Sequence, residues 1–353
     1  MRVPEPRTRR EIRISRALLF IAGLVLLLGA AFFAWFKLDP ISFRRLAFEP
    51  LRDGLFFYRE LQPVSGWRKL QAAPDFRSRR VEIPVGRPGD LTLVADLWEP
   101  ENGPGPHPAL LILHGSTLRG RRHGLVRMLA HEFQQLGWVV LTPDARGFGE
   151  SEDPQVVQDP ENWRNTEDIG RCVGFLYDLG KADKQRLFVL GHSMGGAGAL
   201  EGALDDSRVA ALILIGPPRY LSSKKASRWE RVRFSVVRNL PEVISENVMK
   251  DRRDAGDIAL FARQGRLRQT PKPILLLDGA LESEAEQRFL KEVSRELSNN
   301  SAYHTVPGVG HYCGVYQLPG TDLIVWRRDL LEACTAPTLA FIERAVDSDS
   351  RPH

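Results

Sequence analysis

A serine set among glycines, Gly191-His-Ser-Met-Gly-Gly196, offers this chain a nucleophile. The residues before it, Leu187-Phe-Val-Leu190, form a short apolar run suited to a buried strand. Those after it, Ala197-Gly-Ala-Leu200, are small enough for a closely packed helix. In a strand–turn–helix setting, G-x-S-x-G holds the serine on a strained bend with its hydroxyl at the strand's carboxyl end. Side chains at Gly191 and Gly195 collide there with neighbouring backbone. Such a hydroxyl attacks acyl carbonyls. It is a poor nucleophile at neutral pH, so it needs a base in hydrogen-bond reach and a carboxylate to orient that base.

Three histidines follow Ser193: His304, His311 and His353. His311 lies in Gly308-Val-Gly-His-Tyr312, a loop able to turn an imidazole toward the serine, and is the expected base. His304 lies in the strand-like Ala302-Tyr-His-Thr-Val306 and reads as structural. The acid has three candidates in Leu277-Asp-Gly-Ala-Leu-Glu-Ser-Glu284. Glu282, out in the loop, is the first choice. Glu284 comes second, because the first turn of a helix favours acids for other reasons. Asp278, still on the strand, comes third. The previous strand runs into Gly216-Pro-Pro218 and offers no acid. The oxyanion of a tetrahedral intermediate needs two donors. The backbone N–H of Met194 supplies one, and that of Ser116 or its immediate neighbour, in His114-Gly-Ser116, the other. His114 is expected to tie that loop down.

Other chemistry is weakly signalled. Asp144-Ala-Arg-Gly-Phe-Gly-Glu-Ser151 has glycines, but no helix with Lys-Ser/Thr follows, so a rigid turn organised by Asp144 and Arg146 fits better than phosphate binding. His123 and His131 have no carboxylate cluster beside them and read as packing or surface residues. No cofactor and no metal is called for. Cys172, Cys313 and Cys334 form neither a disulfide framework nor a zinc spacing; Cys313 and Cys334 are expected as unpaired buried thiols, with pairing the alternative in an oxidising compartment.

The elements that must hold these groups follow from hydrophobic period. Residues 81–83 and 91–98 are strand-like and joined by a turn, Arg87-Pro-Gly-Asp90. Continuous apolar runs at 109–113, 138–141, 187–190, 211–215 and 274–277 suit strands covered on both faces. Helical patterns at 124–136, 165–179, 194–204 and 284–297 alternate with them. This predicts an α/β fold, a mostly parallel central sheet with helices on both faces. Ligands bind beyond the carboxyl ends of such strands, and every candidate residue falls at one of those ends. A basic, helix-like stretch at about 219–270 interrupts the alternation and is expected as a helical cap insertion; a structureless loop of that length is improbable.

The chain has 353 residues and a net charge of +5. Its arginines are scattered, without nucleic-acid-binding motifs, so no nucleic-acid partner is expected. Residues 1–16 form a basic amino-terminal tail. Residues 17–36 carry no charge, and a helix of that length spans about 30 Å, the thickness of a bilayer core. One transmembrane helix is therefore expected to precede the fold. A cleaved signal peptide ending near Gly29-Ala-Ala31 is the alternative, though signal cores run shorter. Six arginines precede the span against Lys37, Arg44, Arg45 and Arg52 after it, which favours a cytoplasmic amino terminus and an extracytoplasmic catalytic domain. Residues 37–79 read as a juxtamembrane connector, lying on the membrane or on the domain, and residues 80–346 as the folded domain.

In five motifs the chain resembles the α/β-hydrolase superfamily from about residue 80 to 345. These are His114-Gly-Ser116, Asp144-x-Arg-Gly-x-Gly-x-Ser151, Gly191-His-Ser-Met-Gly-Gly196, Gly279-x-x-Glu282 and Gly308-x-Gly-His311. The resemblance implies an α/β-hydrolase fold, an eight-stranded sheet with a variable cap, and hydrolysis of an ester, thioester, amide or related bond through an acyl-enzyme. It departs from the family in having Glu where Asp is usual, and in an insertion at about 313–333 that can wall the site. The expectation is a membrane-anchored serine hydrolase acting on a small-molecule acyl substrate, a carboxylic ester first. A peptidase, a thioesterase or an acyltransferase are alternatives on the same fold. A catalytically inactive, membrane-tethered binding module is the non-enzyme alternative.

Overall fold

The computed structural model describes residues 23–35, 68–86, 91–101, 103–117, 119–152, 164–218, 257–318 and 321–349. Two compact units divide the chain, Met1–Pro50 and Leu51–His353.

In the first unit, residues 23–35 are helical. Val25, Leu26, Leu27 and Phe33 on this helix are 62–74% exposed. Thirteen helical residues extend only about 20 Å at 1.5 Å per residue. Among the described residues no helix is long and apolar enough to cross a membrane. The rest of the expected span, residues 17–22 and Phe36, lies outside the described residues, as do the basic tail and residues 37–67 of the connector.

The second unit is built on an eight-stranded sheet. Its strands are β2 (Arg79–Val85), β3 (Leu91–Trp98), β4 (His107–Leu113), β5 (Val139–Pro143), β6 (Ala182–His192), β7 (Ala211–Ile215), β8 (Ile274–Gly279) and β9 (Ala302–Val306). Their order is β2-β3-β5-β4-β6-β7-β8-β9. β3 runs antiparallel to both β2 and β5. Every later pairing is parallel.

Side chains alternate across a strand with period two, so each apolar run feeds two cores at once. Ala109, Leu111 and Leu113 of β4 join one buried cluster with Leu212, Leu214, Ile274 and Leu276. Leu110 and Ile112 join the other with Ile213, Ile215, Leu275 and Leu277. This is why these strands are apolar without interruption. The first cluster is covered by α2 (Asn165–Asp178), α3 (Met194–Ala203) and α6 (Glu284–Ser294). The second is covered by α1 (Gly124–Gln135) and α7 (Arg328–Asp349).

Two segments depart from the sequence-based expectation. Residues 257–270, counted there within the cap insertion, form α4 (Ile258–Arg263) and α5 (Arg266–Gln269). Ile258, Phe261, Ala262 and Leu267 are buried in the first core cluster, so this stretch belongs to the domain body. The 3–4 spacing of Ile258, Phe261 and Ala262 makes one apolar face of α4, which the basic stretch preceding it obscures in composition. Residues 219–256 of the insertion lie outside the described residues. The stretch after His311 forms β10 (Val315–Gln317) and β11 (Ile324–Trp326), a hairpin extended by β1 (Gln71–Ala72) into a small antiparallel sheet. The end of the connector is thereby tied to the domain, with Phe76 edge-on to Trp98 at 5.8 Å.

Candidate active site

The carboxyl ends of β4, β6, β7, β8 and β9 converge, and each delivers one part of the site. Ser193 stands between β6 and α3 with φ 52° and ψ −119°. A positive φ at a residue with a Cβ costs on the order of 1–3 kcal/mol. Packing imposes it. A Cβ on Gly191 meets the backbone of Gly195 and Gly196, and one on Gly195 meets the Leu113 and His114 carbonyls. Strand, bend and helix therefore approach at backbone contact, and only glycine fits. The Ser193 N–H donates to the Ile215 carbonyl at 2.8 Å, pinning the bend to the end of β7.

His311 follows β9 in a loop. Its Nδ1 lies 2.7 Å from Glu282 Oε1. With Nδ1–H donated to the carboxylate, Nε2 is left with its lone pair for a proton. The ring lies over Gly216, where an added Cβ falls 3.4 Å from Nδ1. The residue pair Ile215–Gly216 thus touches both the Ser193 backbone and the His311 ring. Side chains of Glu282 and His311 are 11% and 21% exposed, so water screens their pairing little.

The other acid candidates are elsewhere occupied or isolated. Glu284 is the first residue of α6, and its solvent-exposed carboxylate lies 3.8 Å from Arg288. Asp278 is buried near the end of β8, and among the described residues neither of its carboxylate oxygens has a hydrogen-bond partner. Burial, and next the Glu282 charge, push its carboxyl up to about 7. His304 is exposed on β9, opposite Leu277 of β8.

Met194 opens α3, where helix N–H groups point outward without helical partners. Gly115 faces the nucleophile: a Cβ placed there falls 3.2 Å from the Ser193 Cβ. Ser116, the next residue, is partly buried. His114 fastens this loop, with Nδ1 2.6 Å from the Gly115 carbonyl and Nε2 accepting from the Ala145 N–H at 2.9 Å. Burial lowers its pKa, so it stays neutral in that tautomer.

The turn after β5 is rigid for a visible reason. Buried Asp144 accepts from the Arg121 N–H at 2.6 Å, from the Glu150 N–H at 2.8 Å, and from the Arg121 guanidinium. Arg146 reaches back to Asp168 of α2 at 2.6 Å. His123 is buried against Tyr312, with ring centroids 5.0 Å apart. His131 packs edge-on to Phe76. Among the described residues no group of three His, Cys, Asp or Glu is placed to hold a metal ion. Cys172, Cys313 and Cys334 are buried and form no disulfide among the described residues.

Sequence reasoning missed His192. It is fully enclosed, and its Nε2 donates to the His311 carbonyl at 2.9 Å. Its ring centroid lies 4.7 Å from that of His311. Burial first, then nearby imidazolium charge, holds its pKa well below the ordinary histidine value. Nothing local announces this contact, whose partners are 119 residues apart.

Known proteins resemble this chain over part of its length. The sequence model described as "serine aminopeptidase, S33" matches residues 104–260, which contain β4 to β7 and Ser193. An uncharacterized 31.7 kDa protein of Escherichia coli is 32% identical over 107 residues, 30% of this chain and 36% of that protein. Esterase EstD of Thermotoga maritima is 29% identical over 172 residues, 47% of this chain and 38% of the esterase. The chain thus spans little more than a third of these curated relatives. The crystal structure of alpha/beta hydrolase GrgF from Penicillium sp. sh18 superposes with a TM-score of 0.53 at 16% identity, covering 77% of this chain and 99% of that one. Sheet order, the strained serine bend and these likenesses give the chain the α/β-hydrolase fold.

Proposed function

We propose that this α/β-hydrolase is a membrane-anchored serine hydrolase that cleaves carboxylic esters of small molecules through an acyl-enzyme. Ser193 attacks the acyl carbonyl. His311 Nε2 takes its proton and returns it to the leaving alcohol. Glu282 holds the imidazole by Nδ1 and stabilises the imidazolium. The N–H groups of Met194 and Ser116 receive the oxyanion. Water then enters by the same base and releases the acid. No metal or organic cofactor takes part.

The observation that carries this reading is the Ser193 backbone, φ 52° at a non-glycine residue on the strand-to-helix bend. A fold tolerates such strain where the exposed hydroxyl is used. The ester preference draws on the name of EstD. A peptidase reading draws on the description of the matched sequence model. Anchoring draws on the exposed apolar side chains of helix 23–35 and on the arginines before it. By that arrangement the catalytic domain lies on the extracytoplasmic side.

The test is labelling of the full chain with a fluorophosphonate, followed by turnover of p-nitrophenyl esters and of peptide amides. A Ser193 adduct and ester turnover, both lost in Ser193→Ala, support the proposal. Turnover of amides with negligible ester turnover favours the peptidase. Absence of any adduct in folded protein removes the enzyme reading and leaves a binding module.

A further inference from the structure

The buried group that the proposed chemistry leaves unused is Asp278. It is the next-to-last residue of β8, four residues before Glu282, and is 2% exposed. Among the described residues neither oxygen has a hydrogen-bond partner. A small cavity of about 10 Å³ is lined by Asp278, Glu282, His311, Cys313, Cys334 and Ile215. That is close to the room one water molecule needs.

Two carboxyl groups therefore share one small pocket with one imidazole. Glu282 has His311 as its partner and Asp278 has none. An ionised carboxylate without a hydrogen bond or counter-charge is expensive to bury, and a second negative charge nearby adds to that expense. The proton that relieves the pocket therefore resides on Asp278. We propose that Asp278 is a positioning residue of the Glu282–His311 pair: a neutral acid beside Glu282 whose ionisation is coupled to that of His311.

The groups around Asp278 agree. Glu282 on the following turn and Glu286 in α6 are acidic and hold its carboxyl up, while the Gly279 main-chain N–H and, least, His311 work the other way. On β9 its register partner is Thr305, and the Tyr303 phenol is itself raised, with the Asp278 charge among the causes. Cys313 and Cys334 line the cavity, and β7 contributes the apolar Ile215. No described arginine or lysine pairs with Asp278. When Asp278 does ionise, its charge raises the proton affinity of His311, and the two groups titrate as a pair.

This inference rests on His311 as the base of the proposed hydrolase, so its test has one arm with catalysis and one without. In the first, the fluorophosphonate labelling rate of the full chain is followed from pH 5 to 9. The native protein is expected to show two coupled ionisations. Asp278→Asn is expected to show one, with its midpoint displaced downward by about one pH unit, because the charge that raised His311 is gone. An unchanged profile overturns the proposal. So does loss of labelling at every pH, which makes Asp278 the histidine's partner acid. In the second arm, Tm is measured against pH. A carboxyl raised in the folded state withdraws stability as pH climbs from its unfolded value toward its folded one. The Tm of Asp278→Asn, or of Asp278→Leu if the amide folds poorly, should gain on the native protein between pH 4 and 7. A constant difference overturns the proposal even if no labelling is seen. Labelling absent from the native protein, with the Tm gain present, fails the hydrolase reading alone.

Discussion

The imidazole of His192 donates from Nε2 to the main-chain carbonyl of His311 at 2.9 Å. The residue beside the nucleophile thus holds the loop that carries the base. A loop is the least constrained element of this fold, and displacement of a catalytic group by about 1 Å costs on the order of a hundredfold in rate. His192→Leu removes the donor and strands a carbonyl. We expect kcat to fall about 10–100-fold with KM little changed. His192→Gln places an amide N–H at similar reach and should restore most of the rate. Equal losses in both variants, measured with a p-nitrophenyl ester, would argue that only packing matters at this position.

The serine bend makes a paired prediction about stability and activity. Ser193→Ala keeps the φ of 52° and loses the hydroxyl. Its ester turnover is expected to fall by at least about a thousandfold. Ser193→Gly loses the hydroxyl and also the strain, since glycine accepts positive φ freely. Scanning calorimetry should find Ser193→Gly more stable than Ser193→Ala by about 1 kcal/mol. An equal Tm for the two would show that the bend stores no strain.

Glu282 and Glu284 separate cleanly as variants. Glu282→Gln keeps the size of the side chain and loses the charge facing Nδ1 of His311. An amide can present its N–H to that nitrogen and select the wrong tautomer, so kcat should fall by about 10²–10⁴. Glu284 faces solvent beside Arg288. Glu284→Gln is expected to change kcat by less than about twofold, as exposed pairs contribute little. Reversal of this order in steady-state kinetics would move the acid.

Below the site, the turn after β5 depends on a buried charge pair. Asp144 and Arg121 have side chains that are 0% and 2% exposed. Asp144→Asn leaves the guanidinium enclosed with Asp96 at 3.1 Å and Glu150 at 3.0 Å. Removing one partner of a buried pair typically costs about 3–5 kcal/mol, and the remaining carboxylates should bring this nearer the low end. Urea denaturation measures it; a loss under about 1 kcal/mol would show that Asp96 and Glu150 suffice.

How far the sequence speaks depends on how local each cause is. The parallel strands were legible because burial on both faces demands unbroken apolar runs such as Ala109–Leu113 and Ala211–Ile215. The serine bend was legible because backbone contact at Gly191 and Gly195 leaves a residue-type signature. The meeting of Glu282 with His311 had only its loop positions to suggest it. The isolation of Asp278 and the reach of His192 had none, since both depend on what distant strands bring alongside. The burial of α4 was hidden because Ile258-Ala-Leu-Phe-Ala-Arg263 follows a long basic stretch whose composition dominates the interval.

Helix 23–35 exposes Leu26, Leu27 and Leu28 at 58–74%. Exposing such a row to water is unfavourable by roughly 25 cal/mol per Å² of apolar surface, so these side chains need an apolar environment. Under the anchoring proposal that environment is lipid. Replacing Leu27 and Leu28 together by Arg puts two charges into the span, each costing about 2.5–3.5 kcal/mol near its centre. In flotation with vesicles the full chain is then expected to float, and the double variant to remain in the dense fraction. Because these residues lie in the first compact unit, fluorophosphonate labelling of Ser193 should be the same in both proteins. A double variant that still floats would place the membrane contact elsewhere; a native chain that does not float would remove the anchor and leave the hydrolase proposal standing.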